Sequence, residues 1–172
     1  MESHAKHGDS IFWEGTDGTL YVNLYIPAEA RWAARALDVM QLGEMQPERD
    51  HQLTSELSNA LVYRGRRGRD VRSGGFLEFT LRCRAGLLAL QATYWGAERA
   101  RDFDLLVDGQ RVATQHLGND RPGEFFAVDY PLDAALTAGK STLRVRVEPH
   151  DRSSAGPVFG MRVYARRADA QQ

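Results

Sequence analysis

Apolar and polar positions alternate near the N-terminus, from Thr19 to Ile26, and Pro27 ends the run. The apolar side chains share one parity, as in a strand that buries a single face: Leu20, Val22, Leu24 and Ile26. The dipeptide Asp17-Gly18 just before the run is typical of a hairpin turn. We therefore predict that residues 11–13 pair with residues 21–26.

Residues 28–42 have a different pattern, because their alanines, Leu37 and Met40 have high helix propensity. In a helix they would form one apolar stripe: Trp32, Ala33, Ala36, Leu37 and Met40. Tertiary contacts can override propensity, so helix and strand both stay open for this segment, with a short helix preferred. Gly43 and Pro47 end it, and residues 43–50 are predicted to be a linker.

From about residue 51 the chain is rich in strand patterns, separated by turns with Gly, Pro and Asp. In residues 75–84 the apolar parity is Leu77, Phe79, Leu81 and Cys83. Asp108-Gly109 predicts a tight turn between two strands. The predicted strands are 75–84, 87–94, 103–108, 111–116, 125–130, 142–148 and 158–164. This spacing predicts a mainly β protein, an antiparallel β-sandwich of jelly-roll type that follows an N-terminal β-hairpin.

Composition narrows the class of protein. The 172 residues carry a net charge of −1 and 42% hydrophobic residues, so one folded domain of this length would bury about 70% of its unfolded surface. Near-neutrality argues against a nucleic-acid partner. No apolar run approaches about 18 residues, which argues against a membrane partner. The N-terminus lacks the apolar core of a signal peptide, so the compartment stays open.

A single cysteine excludes a disulfide framework and a metal cage built from several cysteines. The pattern His4-x-x-His7-x-Asp9 would bring two imidazoles together on a helical turn, but near a chain end it makes only a weak, open metal site. The other histidines are dispersed, and no phosphate-binding loop or nucleophile elbow is found. We therefore assign no catalytic residue and no metal site.

The turn after residue 94 is the strongest candidate for binding. Aromatic faces pack on the C–H surfaces of sugars, and charged side chains bond hydroxyl groups. The candidate sugar-binding residues are Tyr94, Trp95, Arg99, Arg101 and Asp102. In the alternative interpretation, Trp95 fills the end of the sandwich and Arg101 and Asp102 lock the turn.

A run of arginines precedes the strands: Arg64, Arg66, Arg67, Arg69 and Arg72. It could contact phosphates, but the chain is neutral overall and the run has no interleaved aromatic residues. We expect a solvated loop, or one docked on another domain.

Two stretches carry a resemblance to one enzyme family. The first is Met1-Glu2-Ser3-His4-Ala5-Lys6-His7-Gly8, followed by Leu20-Tyr21-Val22-Asn23-Leu24-Tyr25-Ile26-Pro27. The second, residues 50–164, contains the words Asp50-His51-Gln52-Leu53, Gly74-Gly75-Phe76, Tyr94-Trp95-Gly96, Val107-Asp108-Gly109 and Ala155-Gly156-Pro157-Val158-Phe159-Gly160. The first resembles the "GMENHxKYG" and "LYVNLYIPSEL" segments of glycoside hydrolase families 127 and 146, the β-L-arabinofuranosidase type. The second resembles the C-terminal β-sandwich domain of those enzymes.

The resemblance implies a hydrolase with a zinc-bound cysteine nucleophile, in which Glu2, His4 and Lys6 lie next to the active site. The family's cysteine pair and helical barrel have no counterpart in this sequence, and Cys83 does not match a ligand position. Zinc is therefore expected only in complete family members, and whether this chain takes part in catalysis stays open.

The resemblance divides the chain into a catalytic-region remnant with linker (1–46), an accessory sandwich (47–166) and a frayed tail (167–172). The expected role is a non-catalytic accessory domain that packs on a parent catalytic domain and contacts plant-type glycans containing arabinose. Two alternatives remain. The chain could be part of an active hydrolase completed by another polypeptide, or a structural domain that self-associates through exposed strand edges.

Overall fold

The computed structural model describes residues 4–7, 10–14, 20–24 and 35–166. The chain forms two compact units, residues 1–35 and residues 36–172. The first unit contains a three-stranded antiparallel sheet in the order β1 (His4–His7), β2 (Ser10–Glu14) and β3 (Leu20–Leu24). Ile11 pairs with Asn23 and Trp13 with Tyr21, which confirms the predicted hairpin. Residues 25 and 26 of the prediction lie outside the described residues.

The second unit is built from antiparallel strands. The strands are β4 (Ala36–Met40), β5 (Thr54–Tyr63), β6 (Arg66–Arg82), β7 (Leu88–Trp95), β8 (Arg101–Val107), β9 (Gln110–Leu117), β10 (Phe125–Leu132), β11 (Thr142–Pro149) and β12 (Ala155–Ala165). Two short helices lie between them, α1 (Met45–Asp50) and α2 (Ala134–Thr137). The strand order is β10-β7-β12-β6-β11-β8-β9, with β4 on β12 and β5 on β6. The nearly closed β-sandwich of jelly-roll type confirms the predicted fold class. No helix in the described part of the chain is long and apolar enough to span a membrane.

The long strand β6 takes part in both halves of the sandwich. Its first half pairs with β12, where Arg69 faces Val158, and its second half pairs with β11, where Leu77 faces Val147. Between them lies Gly74, at φ +82°, a conformation that glycine adopts without steric cost. A glycine bend inside a strand turns the chain from one sheet to the other.

The core follows the alternation of the sequence. Leu77, Phe79 and Leu81 of β6 are each at most 1% exposed. On β11, Leu143, Val145 and Val147 are buried in the same way, while the arginines between them lie on the outer face. Each such side chain contributes about 1.5–3 kcal/mol by leaving water, so the period-two pattern fixes the face that each strand buries.

The prediction of a helix over residues 28–42 is wrong for its second half, because residues 36–40 form β4. Met40 is fully buried, and β4 pairs with β12 through Met161 and Arg162. Burial and pairing at the edge of the sandwich outweigh the small helix preference of the alanines. Residues 28–34 lie outside the described residues.

The predicted linker of residues 43–50 also differs from the structure, since α1 occupies most of it. Glu48 of α1 bonds to Arg69 of β6, so this segment is attached to the sandwich. The second unit begins at Ala36, so β4 and the whole of α1 belong to the same unit as the predicted sandwich of residues 47–166. The predicted tail, residues 167–172, lies outside the described residues.

Candidate functional site

The five residues predicted to bind sugar lie along the β7–β8 connection, but their side chains contact different parts of the protein. Tyr94 points into the core, is fully buried and packs edge-on against Phe103 at 5.7 Å between ring centroids. Its hydroxyl lies 2.8 Å from that of Tyr130, which donates to Oε1 of Gln115. The ring of Tyr94 is thus enclosed by protein and presents no face to solvent.

Trp95, the next residue, lies on the opposite face of β7 and is 7% exposed. Phe125 of the neighbouring strand β10 is paired with it, and their ring centroids are 5.0 Å apart. Tyr63, at the end of β5, covers Trp95 from another side at 5.3 Å. Phe159 of β12 completes the group, 4.8 Å from Phe125. Four rings from four strands therefore meet on the outer face of this sheet.

Two arginines of the β5–β6 hairpin lie over these rings. The turn consists of Arg64 and Gly65, with φ of +47° and +78°, a two-residue turn of type I′ geometry. The guanidinium of Arg64 lies 4.8 Å from the Trp95 ring centroid, and that of Arg66 lies 4.5 Å from the Phe125 centroid. Such contacts are cation–π interactions. We call these six residues the arginine–aromatic cluster: Tyr63, Arg64, Arg66, Trp95, Phe125 and Phe159.

The cluster is accessible at its hairpin edge. Tyr63 is 40% exposed and the preceding Val62 is 61% exposed, whereas Trp95 and Phe159 are buried. An exposed tyrosine ring over a buried aromatic base offers a fixed apolar surface with a polar tip. The arrangement can therefore pack against the C–H face of a ring-shaped ligand while the adjacent guanidiniums donate hydrogen bonds.

The arginine run, expected as a loop, instead forms the hairpin turn and the first part of β6. Its members have different roles. Arg69 is bonded to Glu48, and its side chain is only 15% exposed. Arg67 lies 4.0 Å from Glu44, at a well exposed position. The run therefore contains both structural and surface residues. Of the aromatic rings beside Arg64 and Arg66, Tyr63 is adjacent in sequence, whereas Trp95 and Phe125 come from distant strands.

The remaining candidate residues of the turn contact protein atoms rather than one another. Arg101 donates to Glu98 over 2.9 Å and also bonds Ser154. The backbone N–H of Asp102 donates to the Ser153 hydroxyl, and its carboxylate lies 2.7 Å from Nδ1 of His116. Arg99 is exposed. These contacts fit the interpretation in which the turn is locked, and sugar binding by the five predicted residues together stays a prediction.

Asp104, two residues after Asp102 on β8, belongs to another group of hydrogen-bonded side chains that the sequence did not reveal. Asp104 accepts a hydrogen bond from the Thr114 hydroxyl over 2.6 Å and faces Nε2 of His150 at 2.8 Å. Burial alone raises the pKa of this carboxyl, but the bonds from Thr114 and His150 outweigh burial and lower it. Within the described ranges, no group of three His, Cys, Asp or Glu residues could hold a metal ion.

The N-terminal candidates fall partly outside the described residues. His4, Lys6 and His7 lie in β1, so His4 and His7 are not on the helical turn that would bring their imidazoles together. Glu2 is outside the described residues.

Cys83 follows β6, and its Sγ lies 3.6 Å from the carbonyl oxygen of Lys140. Burial, with a contribution from Asp108, raises the pKa of the thiol. A raised pKa keeps the thiol protonated and weakens it as a nucleophile.

The fold is shared with solved structures at low sequence identity. A family 35 carbohydrate-binding module from Clostridium thermocellum is 13% identical, with a TM-score of 0.54, over 66% of this chain and 92% of that one. A carbohydrate-binding module from the Cellvibrio mixtus lichenase 5A, solved with cellotriose, is 7% identical, with a TM-score of 0.54, over 77% and 99% of the two chains. An exo-β-1,3-galactanase from Phanerochaete chrysosporium, solved with galactose, is 12% identical, with a TM-score of 0.55. That match covers 90% of this chain and 33% of the galactanase.

Curated proteins give no match to the sequence. A family model, described as a family of unknown function (DUF6805), matches residues 31–164. The match includes β4 and α1 together with the rest of the sandwich. Because it covers most of the chain, the protein belongs to the DUF6805 family.

Proposed function

We propose that the sandwich of residues 36–166 is a carbohydrate-binding domain and that the arginine–aromatic cluster is its binding surface. The observation that carries this proposal is the half-exposed ring of Tyr63, held at 5.3 Å from the buried Trp95. A ring fixed in this way loses little conformational entropy when a sugar packs on it. The fold supports the proposal, since two of the similar structures are carbohydrate-binding modules.

The position of the cluster also supports binding. Tyr63 is the last residue of β5 and Arg64 the first residue of the tight turn that follows, and both contact Trp95 of β7, so the surface is anchored on strands rather than on a long loop. Sites on strands hold their geometry better than sites on loops. A sugar ring on Tyr63 would lie within reach of the Arg64 guanidinium, which lies 5.9 Å from the Tyr63 ring centroid.

The finer expectation from the sequence is that this domain accompanies an arabinofuranosidase-type hydrolase and contacts arabinose-containing plant glycans. It rests on the matched words with glycoside hydrolase families 127 and 146 and remains a prediction. In that setting the sandwich would hold a parent enzyme near its polymer, and the chemistry would belong to the parent enzyme.

Affinity electrophoresis tests the proposal directly. The full chain is run in native gels that contain soluble polysaccharides, neutral arabinan and galactan as well as acidic polymers, and positive results are quantified by titration calorimetry. We expect retardation by at least one polysaccharide, and loss of most of it in Tyr63→Ala. Leu87→Ala is the matched control, because Leu87 is also exposed, at 45%, but lies in the β6–β7 loop at the other end of β7.

Two results would overturn the proposal. One is a chain that no polysaccharide in the panel retards. The other is retardation that Tyr63→Ala and Leu87→Ala weaken equally, since the aromatic ring would then have no specific role. Size-exclusion chromatography of each variant shows whether a change in mobility comes from self-association instead.

A further inference from the structure

The arginine–aromatic cluster holds positive charge as well as aromatic surface. The Arg64 guanidinium lies 4.8 Å from the Trp95 centroid and 5.9 Å from the Tyr63 centroid. Arg66 lies similarly over Phe125 at 4.5 Å. A guanidinium that stacks through its flat face keeps its N–H donors in the plane of the group, and these donors form a fork that matches two coplanar oxygens.

Two acidic residues of the described ranges that are close in sequence to Trp95 and Phe125 are paired with other arginines. Glu98, which follows Trp95 in the β7–β8 connection, bonds to Arg101 over 2.9 Å. Glu124, which precedes Phe125, lies 3.8 Å from Arg121. Within the described ranges Arg64 itself makes no ion pair. Arg64 therefore presents positive charge on a chain whose net charge is −1, so this charge is local and does not reflect a generally basic protein.

We propose that the cluster recognises glycans that carry carboxylate groups, that is, polymers of uronic acids. This inference rests on the proposed function. The Tyr63 ring packs on the C–H face of the sugar, and the Arg64 fork donates two parallel hydrogen bonds to the planar carboxylate of the same residue or its neighbour. Bidentate pairs of this kind are among the strongest hydrogen bonds in proteins and also fix orientation.

Nucleic acid is the other polyanion that a basic and aromatic surface can take. Bases stack on open aromatic faces. Here the rings of Trp95 and Phe125 meet edge to face, Trp95 is 7% exposed, and guanidiniums lie over both. One half-exposed tyrosine is too small a platform for successive bases. A short acidic saccharide fits this surface better.

The test is titration calorimetry of the full chain with oligogalacturonate, with the same oligomer after reduction of its carboxyl groups, with a sulfated dextran oligomer and with single-stranded DNA. We expect binding to oligogalacturonate that weakens as salt rises, and binding at least tenfold weaker to the carboxyl-reduced form. Arg64→Gln should weaken oligogalacturonate binding about tenfold, the effect of losing a charge-assisted hydrogen bond. Arg64→Lys keeps the positive charge but loses the forked pair of donors, so its affinity for oligogalacturonate should lie between those of the wild type and Arg64→Gln.

Arg84→Gln is the matched control. Arg84 is exposed in the loop that follows β6, whereas Arg64 lies in the turn that precedes β6. Arg84→Gln therefore makes the same change of charge at the opposite end of the strand. This variant should bind like the wild type. Circular dichroism of all variants verifies the fold.

The outcomes separate this inference from the proposed function. Binding of the carboxyl-reduced or other neutral glycans alone would overturn the inference and leave the proposed function standing. Equal or tighter binding of sulfated dextran or DNA would also overturn it, as would equal effects of Arg64→Gln and Arg84→Gln. Failure of every glycan, neutral or acidic, would overturn the proposed function itself.

Discussion

Glu48 and Arg69 lie side by side: Nε and Nη2 of Arg69 donate to the two carboxylate oxygens of Glu48, each over 2.8 Å. Their side chains are 12% and 15% exposed. Glu48 also accepts from the backbone N–H of Gly43 over 2.7 Å. The pair attaches α1 to the first half of β6, so the segment between β4 and β5 is fixed on the sandwich.

Replacing Glu48 by alanine should lower the free energy of unfolding by about 3 kcal/mol, because it leaves the Arg69 guanidinium nearly buried and unpaired. Urea denaturation followed by tryptophan fluorescence measures the change. Glu44→Ala is the control, since Glu44 lies 4.0 Å from Arg67 with 46% of its side chain exposed. The control should cost less than about 1 kcal/mol. Equal losses in the two variants would contradict a structural role for the Glu48–Arg69 pair.

Stability should decline in acid through Asp38 and Glu48. Burial raises the pKa of both carboxyls, but hydrogen bonds outweigh burial, from Arg82 and His51 to Asp38 and from Arg69 and Gly43 to Glu48, so both pKa values lie below their usual range. A lowered folded-state pKa stabilises the protein fully above the unfolded-state pKa, and this contribution is lost as the pH falls through the folded-state pKa.

The window for this effect is from about pH 4.5 downwards. Urea unfolding at pH 6, 4 and 3 measures it. The slope of stability against pH should be smaller in Asp38→Asn, which has no carboxyl to protonate at that position. An unchanged slope would show that other groups dominate acid unfolding.

The buried pair Tyr94 and Tyr130 should respond unequally to the loss of a hydroxyl. Since Tyr130 donates to Gln115, the Tyr94 hydroxyl is the donor of the 2.8 Å bond between the two tyrosines. Tyr130→Phe would leave that fully buried donor unpaired and should cost about 1–3 kcal/mol. Tyr94→Phe leaves Tyr130 bonded to Gln115 and should cost about 1 kcal/mol.

Thermal or urea unfolding of both variants and of the double variant tests this order. The double variant should be more stable than Tyr130→Phe alone, because it removes the unpaired hydroxyl. The reverse order of the single variants would show that Tyr130 donates to Tyr94 instead.

Gly43 should tolerate alanine less well than Gly139, although both have positive φ, +82° and +70°. A Cβ at Gly43 would come within 2.6 Å of the carbonyl oxygen of Gly68, whereas a Cβ at Gly139 would meet no atom within 4 Å. Gly139→Ala should therefore show only the conformational cost, about 1–2 kcal/mol. Gly43→Ala should lower the melting temperature further, because the new Cβ would push the backbone before α1 away from Gly68 of β6. Melting temperatures compare the two, and similar values would mean that the backbone around Gly43 adjusts freely.

Several of the predicted strands have one buried face. Residues 75–84 and 142–148 alternate between apolar and polar side chains, because one side of each strand packs in the core and the other faces solvent. The turn at Asp108-Gly109 was predicted for a local reason too, since both residues adopt positive φ, of +49° and +81°. Local patterns of this kind do not depend on which strands become neighbours.

The strands that were missed lack such a pattern. β5 is exposed along most of its length, so its two faces do not differ in polarity. The first half of β6 carries arginines on both parities, and it forms a strand because it pairs with β5 and β12. β4 lies in the second half of the segment 28–42, whose alanines, Leu37 and Met40 favour a helix, and pairing with β12 overrides this preference.

The sequence by itself determined the β-sandwich class and the inward face of its alternating strands, because burial alternates with the geometry of a strand. Only the tertiary structure decided what surrounds Trp95. Tyr63, Phe125 and Phe159 are far apart in the chain and meet because β7 pairs with β10 and β12 and the β5–β6 hairpin covers them. Contacts between distant segments depend on strand order and register, and no local pattern of residues encodes either.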